Sequence, residues 1–584
     1  MHGRRSAGQL SASASWVRDT RRIRRGVWLS AILLVASACT SSSQPREAVD
    51  EGPHALIDVA EDVGLDFRHG AFRWGPSPDP APMMGGGLCW LDFDNDGWLD
   101  LFVVNSFADV EVTRWREAGG LPTAALFHNE AGRFVDVAAA SGADLAVRGT
   151  GCVAADFNLD GDVDLFVTTE RTDALLWNNG DGTFVEGASD AGVAAYGWHS
   201  GAAVGDLNAD GWPDLVVAGY ADTNYTNPDA TEGFPDTALG VRDLLYLSNG
   251  LGDDGYVTFR EVGAEAGLEA KTEKGGYEYG LGVVVFDVDR DADLDVYIAN
   301  DTNPNRLYRN VLWPGGVAAD PSGLGFRFED VSTSAGVDRD KAGMGLATGD
   351  FDGNGIPDFF ATNARLQGHD VLLDASSEVV SPLYIDGAAA FDGVVFHTGW
   401  GVSWLDLDND TDLDLVLANG DIPITDISDD AGPLQAFVNV LPGGVEFRDA
   451  SDDLGLPAVG STNGRGVAAG DFDNDGDLDV AVNSIGGRLI LLENRGVTGN
   501  WLEVGLVGFH PGAIIVVTLG DGRELVRDIL AGSSYLSSED PRAQFGLGDA
   551  ETVAEVVVNW PDGQRTRIED VASNQLITFA PPRG

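Results

Sequence analysis

Seven nine-residue segments repeat one arrangement of side-chain oxygens: DFDNDGWLD at 92–100, DFNLDGDVD at 156–164, DLNADGWPD at 206–214, DVDRDADLD at 287–295, DFDGNGIPD at 350–358, DLDNDTDLD at 406–414 and DFDNDGDLD at 471–479. Asp or Asn stands at positions 1, 3, 5 and 9 of each. The candidate ligands are therefore Asp92, Asp94, Asp96 and Asp100; Asp156, Asn158, Asp160 and Asp164; Asp206, Asn208, Asp210 and Asp214; Asp287, Asp289, Asp291 and Asp295; Asp350, Asp352, Asn354 and Asp358; Asp406, Asp408, Asp410 and Asp414; and Asp471, Asp473, Asp475 and Asp479. Alternate residues of a tight loop point inward, and hard oxygens in this number suit Ca²⁺, with a backbone carbonyl at position 7 as a further ligand. Zinc would want His or Cys, and no such spacing occurs. Carboxylates number 25 over these positions, and up to seven Ca²⁺ would offset 14 of their charges. A single copy reads equally well as an Asp-Gly turn with solvated acids. Seven copies with the acids held in place argue for a cation, because clustered carboxylates repel one another without one.

The copies differ. Gly at position 6 permits the positive φ that turns the chain, whereas Ala292 and Thr411 there would be strained. Asn158, Asn208 and Asn354 keep an oxygen but lose a charge, which weakens their loops. The tightest sites are expected at Asp92 and Asp471.

Short flanking runs position these loops. A Gly and an apolar stretch precede them, as in Gly86 to Leu91 or Gly282 to Phe286, and a β-branched or aromatic stretch follows, as in Leu99 to Val104. Both are too short for helices and rich in strand formers, so each loop joins two strands of a hairpin. A second shared element, such as FVDVAAASGA at 134–143 or FEDVSTSAGV at 328–337, brings the count to four strands per period. The first Asp recurs after 64, 50, 81, 63, 56 and 65 residues, one supersecondary unit each time. Four-stranded units in an open row would leave exposed edges, which a closed radial ring protects. The second element also precedes the first loop, as IDVAEDVGL at 57–65, and is missing after the seventh. The N-terminal segment therefore completes the last unit of a seven-bladed β-propeller over 55–498. Residues 499–584, with alternating apolar stretches and Gly-Asp-Gly and Pro-Asp-Gly turns, form a small C-terminal β domain of five or six strands, with Phe545 and Trp560 in its core.

The chain has 584 residues and a net charge of −57, which repels phosphate backbones and excludes nucleic acid as a partner. Residues 1–38 are Arg-rich and then apolar from Val27 to Ala38, and read as a signal peptide. That apolar run of 12 residues is too short to span a membrane. Small residues before Cys39 resemble a bacterial lipobox, so Cys39 is the expected lipidation site, and 39–54 reads as a flexible tether. The protein is thus expected to be exported and lipid-anchored to the cell envelope, and otherwise secreted, with the membrane reached only through that anchor. Cys89 and Cys152, on equivalent strands of neighbouring units, are expected to be free core thiols.

The loops resemble the calcium-binding repeats of the FG-GAP and VCBS families, found also in integrin α-subunit propellers. GAIIVVTLGDG at 512–522, Tyr535-Leu536-Ser537, FGLGDAETV at 545–553 and NQLITF at 574–579 resemble the ASPIC/UnbV domain that follows such repeats in cartilage acidic proteins and their bacterial relatives. The resemblance implies an all-β propeller with metal-holding loops and a C-terminal module. One departure is Gln544, where that family often has His.

The pattern favours a non-enzymatic, surface-anchored calcium-binding module for adhesion to a protein or glycan ligand. The insertions Asp222 to Asp243 and Lys271 to Tyr279 are the expected recognition loops. The alternative is a propeller-based enzyme, a polysaccharide lyase or hydrolase, with His199, His369 and His397 as acid–base candidates. No nucleophile elbow, phosphate loop or haem-attachment motif occurs.

Overall fold

The computed structural model describes residues 55–582, apart from 229, 231–232, 254, 273–274, 377–380, 392–395 and 441–444. The expected signal peptide, the tether and Cys39 lie outside the described residues. The fold is all-β and propeller-like. Each acidic loop joins the first and second strands of a four-stranded antiparallel sheet, as the flanking runs require. The first sheet is Leu88–Leu91, Asp100–Val103, Ala125–Asn129 and Phe134–Asp136, and the second is Gly149–Ala155, Asp164–Thr169, Ala174–Asn178 and Phe184–Glu186. The same order recurs in later sheets, whose first strands are His199–Gly205, Gly280–Phe286, Asp340–Gly349, Gly399–Leu405 and Gly464–Gly470. The fourth and fifth sheets also join into one eight-stranded sheet, through the pairing of Asp301 with Ala342 and of Pro304 with Asp340. The last sheet takes its fourth strand from the N-terminal end: Ala55–Asp58 pairs antiparallel with Ile490–Arg495, Ala55 opposite Arg495.

First strands of successive sheets lie side by side, and Gly464–Gly470 lies against Leu88–Leu91, so these contacts run round without an end. The recurrent upstream glycine explains the closeness. A Cβ on Gly201 would fall 2.6 Å from Leu281 O, and one on Gly282 would fall 2.5 Å from Met344 O, both in the next first strand. Apolar side chains of neighbouring sheets then share one core, as Leu91, Phe102 and Leu126 do with Leu165, Val167 and Leu176. Full burial of side chains of this size contributes about 1.5–3 kcal/mol each. After each of four fourth strands comes a one-turn helix ended by a left-handed glycine, Gly142, Gly192, Gly267 or Gly336, and Ala60–Val63 with Gly64 repeats this ahead of the first loop.

Two expectations change. Cys89 and Cys152 form a disulfide rather than two free thiols, with Cα atoms 6.3 Å apart. Equivalent strands of adjacent sheets approach more closely than spacing suggests, because Gly87 and Gly151 carry no side chain between them. The C-terminal region has seven strands rather than five or six. Asn500–Leu506, Ala543–Gly548 and Gln575–Phe579 form one sheet, and Ile514–Leu519, Glu524–Asp528, Thr552–Asn559 and Arg565–Ala572 form the other. Phe545 and Trp560 are buried in its core as expected.

The segment 530–540 leaves that core and threads among the first strands. Trp90 N donates to Ser538 O at 3.1 Å, Cys152 N to Leu536 O at 3.1 Å, Val204 N to Ala531 O at 2.9 Å and Leu346 N to Ser534 O at 2.8 Å. Tyr535 is fully buried there and donates to Met84 O at 2.7 Å. The space between the first strands is thus filled by the chain's own backbone.

Candidate metal centres

One backbone frame recurs in all seven loops. The position-1 carboxylate accepts the N–H of position 5 on one oxygen and of position 6 on the other; in the first loop Asp96 N and Gly97 N reach Asp92 at 3.0 and 2.9 Å. Asp156, Asp206, Asp287, Asp350, Asp406 and Asp471 repeat this. The position-9 carboxylate accepts the N–H of position 2 and that of a residue late in the third strand; Phe93 N and Asn129 N reach Asp100 at 3.1 and 2.7 Å. Position 6 has positive φ in every copy, including Ala292 at 73° and Thr411 at 95°, as expected. Position 4 is also left-handed, in Asn95, Leu159, Ala209, Arg290, Asn409 and Asn474 at φ 56–59° and in Gly353, which the sequence did not reveal.

Two N–H donors on two separate oxygens require a carboxylate, since an amide offers only one acceptor atom. The acids at positions 1 and 9 therefore have a structural account of their own. Positions 3 and 5 differ. Position 5 accepts one N–H from position 7, and Asn354 does this as well as Asp96 does. At position 3, Asn158 and Asn208 accept the N–H of position 5 through Oδ1. Hydrogen bonding is satisfied there without charge, yet 11 of the 14 residues at these two positions are Asp. A bound cation would account for that surplus.

In the first, fourth, fifth and sixth loops, three ligand atoms lie within 4.8 Å of one another: those of Asp92, Asp94 and Asp100; Asp287, Asp289 and Asp291; Asp350, Asp352 and Asp358; and Asp406, Asp408 and Asp414. In the second and third loops the amide nitrogens of Asn158 and Asn208 instead donate to Asp160 and Asp210 at 2.9 and 3.0 Å, spending a ligand oxygen internally. Asp289 is 4% exposed, and neither of its carboxylate oxygens meets a hydrogen-bond donor. Burial pushes Asp100, Asp358 and Asp406 up to about 8, and neighbouring acids add to the shift. Asp164, Asp214, Asp295, Asp414 and Asp479 are raised well above the carboxylate range by the same burial. A hard dication among these carboxylates would stabilise their charged forms.

The third-strand asparagines are site residues that sequence reasoning missed. Asn129, Asn178, Asn310, Asn439 and Asn494 supply the N–H for position 9. The side-chain amides of Asn129, Asn178, Asn310 and Asn494 cross to the position-2 carbonyl of the preceding loop, Phe472, Phe93, Leu207 and Leu407 respectively, at 2.7–2.9 Å. Those four loops are thereby tied to the next sheet. Their signal was a recurring Asn at the close of an apolar run, in LFHN, LLWN, LYRN, AFVN and LLEN.

The C-terminal region covers several loops. Arg290 at position 4 pairs with both oxygens of Asp528, Arg542 Nη1 reaches Asn474 at 2.7 Å, and Gln544 donates to Asn409 at 2.5 Å. Gln544 thus docks a loop where the resembled family often has His.

The histidines of the enzymatic alternative lie at the other end of the strands. His199 and Asp173 are buried together, Nδ1 to Oδ2 2.6 Å. His369 Nδ1 accepts Asn363 N at 3.0 Å, and burial lowers its pKa to about 3. His397 is half-buried and lines a surface pocket with Gln435 and Asp449.

The FG-GAP-like repeat family matches residues 92–167 and 156–217, and the ASPIC and UnbV family matches 509–584. Cartilage acidic protein 1 of Mus musculus is 29% identical over 55% of this chain and 47% of its own length, and that of Homo sapiens 28% identical over 55% and 46%. The chain thus spans about half the length of these relatives. Among solved structures, an Agrocybe aegerita lectin described as recognising non-reducing terminal N-acetylglucosamine superposes with a TM-score of 0.38 and 14% identity, covering 62% of this chain and 82% of the lectin. Trypanosoma rangeli sialidase superposes with a TM-score of 0.31 and 11% identity over 64% and 57%. Both superpositions are too loose to bear on function. The chain thus carries FG-GAP-like repeats and a C-terminal ASPIC and UnbV domain, and is homologous to cartilage acidic protein 1.

Proposed function

We propose that the protein is an exported, non-enzymatic binding module: a seven-bladed propeller stiffened by Ca²⁺, lipid-anchored through Cys39, which offers its loops to a protein or glycan ligand. Asp289 carries the metal part of this reading, as a buried carboxylate with two oxygens facing no donor, beside Asp287 and Asp291. A bound dication supplies positive charge beyond that of Arg309, the one cation that acts on Asp289. The chain's own part is to hold oxygens ready: position 1 and position 9 are fixed by backbone amides.

The ligand part draws support from the end of the third sheet opposite its acidic loop. There Tyr196, Tyr225 and Tyr277 line a pocket of about 330 Å³ with Asp222 and Asn224. Tyr196 and Tyr225 are 70% and 62% exposed, unusual for aromatic side chains without a partner. Asp222, Asn224 and Tyr225 belong to one predicted recognition insertion and Tyr277 to the other.

Calorimetric titration of Ca²⁺ into the chelator-stripped chain, with thermal melts, tests the metal. A site at 100 times its dissociation constant adds roughly 2.7 kcal/mol, so several sites raise the melting temperature strongly. An unmoved melt removes calcium from the proposal. Glycan-array binding lost in Tyr196→Ala and Tyr225→Ala would support the ligand part, and turnover of a polysaccharide would replace it with the enzymatic alternative.

A further inference from the structure

We infer that the first acidic loop is a mixed nitrogen and oxygen site that prefers a first-row transition dication to calcium, with His128 as its imidazole ligand. The inference rests on the reading that these loops hold dications, and it separates one loop from the rest. His128 precedes Asn129, whose N–H binds Asp100, so its place relative to the loop is fixed by the shared frame. Its Nε2 lies 3.1 Å from Asp94 Oδ2 and 3.8 Å from Asp96 Oδ2. That nitrogen is shielded from solvent and makes no well-formed hydrogen bond. Phe93 meets the ring edge to face at 5.6 Å and limits its rotation.

Two observations point from this placement to a ligand. Donor atoms around one ion with bonds of about 2.0–2.2 Å sit about 3–3.6 Å apart, close to the observed separations. Ligand atoms of Asp94, Asp96 and His128 all fall within 4.8 Å of one another, and Asp94 also belongs to the cluster with Asp92 and Asp100. The same strand position in the other sheets is Trp177, Leu247, Arg309, Leu373, Val438 or Glu493. Of the seven loops, the first thus has the imidazole. Carboxylates alone suit calcium, whereas an imidazole added to them suits zinc, cobalt or manganese and contributes little to a calcium shell.

The full chain, stripped with chelator, is titrated with Co²⁺ in the presence of excess Ca²⁺, and binding is followed by visible absorption. The expected result is a single equivalent of Co²⁺ that Zn²⁺ displaces and Ca²⁺ does not. His128→Gln should weaken that equivalent by about a hundredfold, since even residues that only orient a ligand matter by about 10–100-fold. It should leave calcium binding at the other loops unchanged. Displacement of Co²⁺ by Ca²⁺ from the parent, or undiminished Co²⁺ affinity in His128→Gln, overturns the inference. Should the variant misfold, pulsed EPR of the Mn²⁺-loaded parent decides: nitrogen coupling from a bound imidazole supports the site and its absence overturns it. A calcium-dependent melt without selective Co²⁺ binding defeats this inference alone, whereas loss of both responses defeats the metal reading as well.

Discussion

The two ends of the strands solve the same bonding problem with different residues. At the end opposite the acidic loops, a side chain just ahead of the third strand accepts an N–H from the close of the second strand. Asp173 does this for Thr169, Asp243 for Gly219, Asn305 for Asn300 and His369 for Asn363, all at 2.9–3.0 Å. Where one hydrogen bond is the whole requirement, carboxylate, amide and imidazole interchange. In the acidic loops, positions 3 and 5 have an equally modest bonding requirement, which Asn158, Asn208 and Asn354 meet, yet they are otherwise Asp. Charge beyond bonding need marks an electrostatic role, and freedom of residue type marks a purely structural one.

Substitutions can break this contrast. The largest effect is expected at position 9, where Asp164→Ala strands the N–H groups of Phe157 and Asn178 in the core. Each buried, unsatisfied donor costs about 1–3 kcal/mol, so chemical denaturation should show a loss of several kcal/mol with or without calcium. A loss confined to calcium-loaded protein would mean that position 9 serves the metal and not the frame.

Asp289→Asn should change sign with conditions. In chelator it removes a buried charge without a donor and raises stability by roughly 1–2 kcal/mol, while in calcium it weakens binding and lowers the melt. Equal shifts in both buffers would deny that a cation answers this charge.

The pH dependence follows from Asp100, Asp358 and Asp406, raised to about 8 by burial from 3.8 in the unfolded chain. Between these values the folded state holds the protons that the unfolded state has lost. Their contribution is therefore complete below about pH 4 and declines as pH rises towards 8, by up to about 1.4 kcal/mol per pH unit for each group. Melts in chelator should show this decline, and calcium should flatten it. The smallest effect belongs to the opposite end: His369→Asn keeps an acceptor for Asn363 N, so it should cost about 1 kcal/mol or less and leave calcium titrations unchanged.

Much of the loop was legible because its determinants lie within nine residues. Position 6 turns left-handed even as Ala292 and Thr411, so the fixed spacing of the acids, and not the glycine, is the dependable mark. The role of positions 1 and 9 was only half legible: spacing reveals that they are acidic, but not that two backbone amides hold each of them. The asparagine ties were missed because their partners lie 85 residues away for Asn178 and 343 for Asn129.

Local order therefore determined the strands, the loops and the N-terminal strand that completes the last sheet, since hydrogen-bonding period and turn chemistry act over a few residues. Tertiary structure alone decided the Cys89–Cys152 bridge, the placement of His128 against Asp94 and the threading of 530–540 among the first strands. All three depend on how near successive sheets and the C-terminal region approach one another. That distance is set by the packing of side chains remote in the chain, and no short stretch of sequence encodes it.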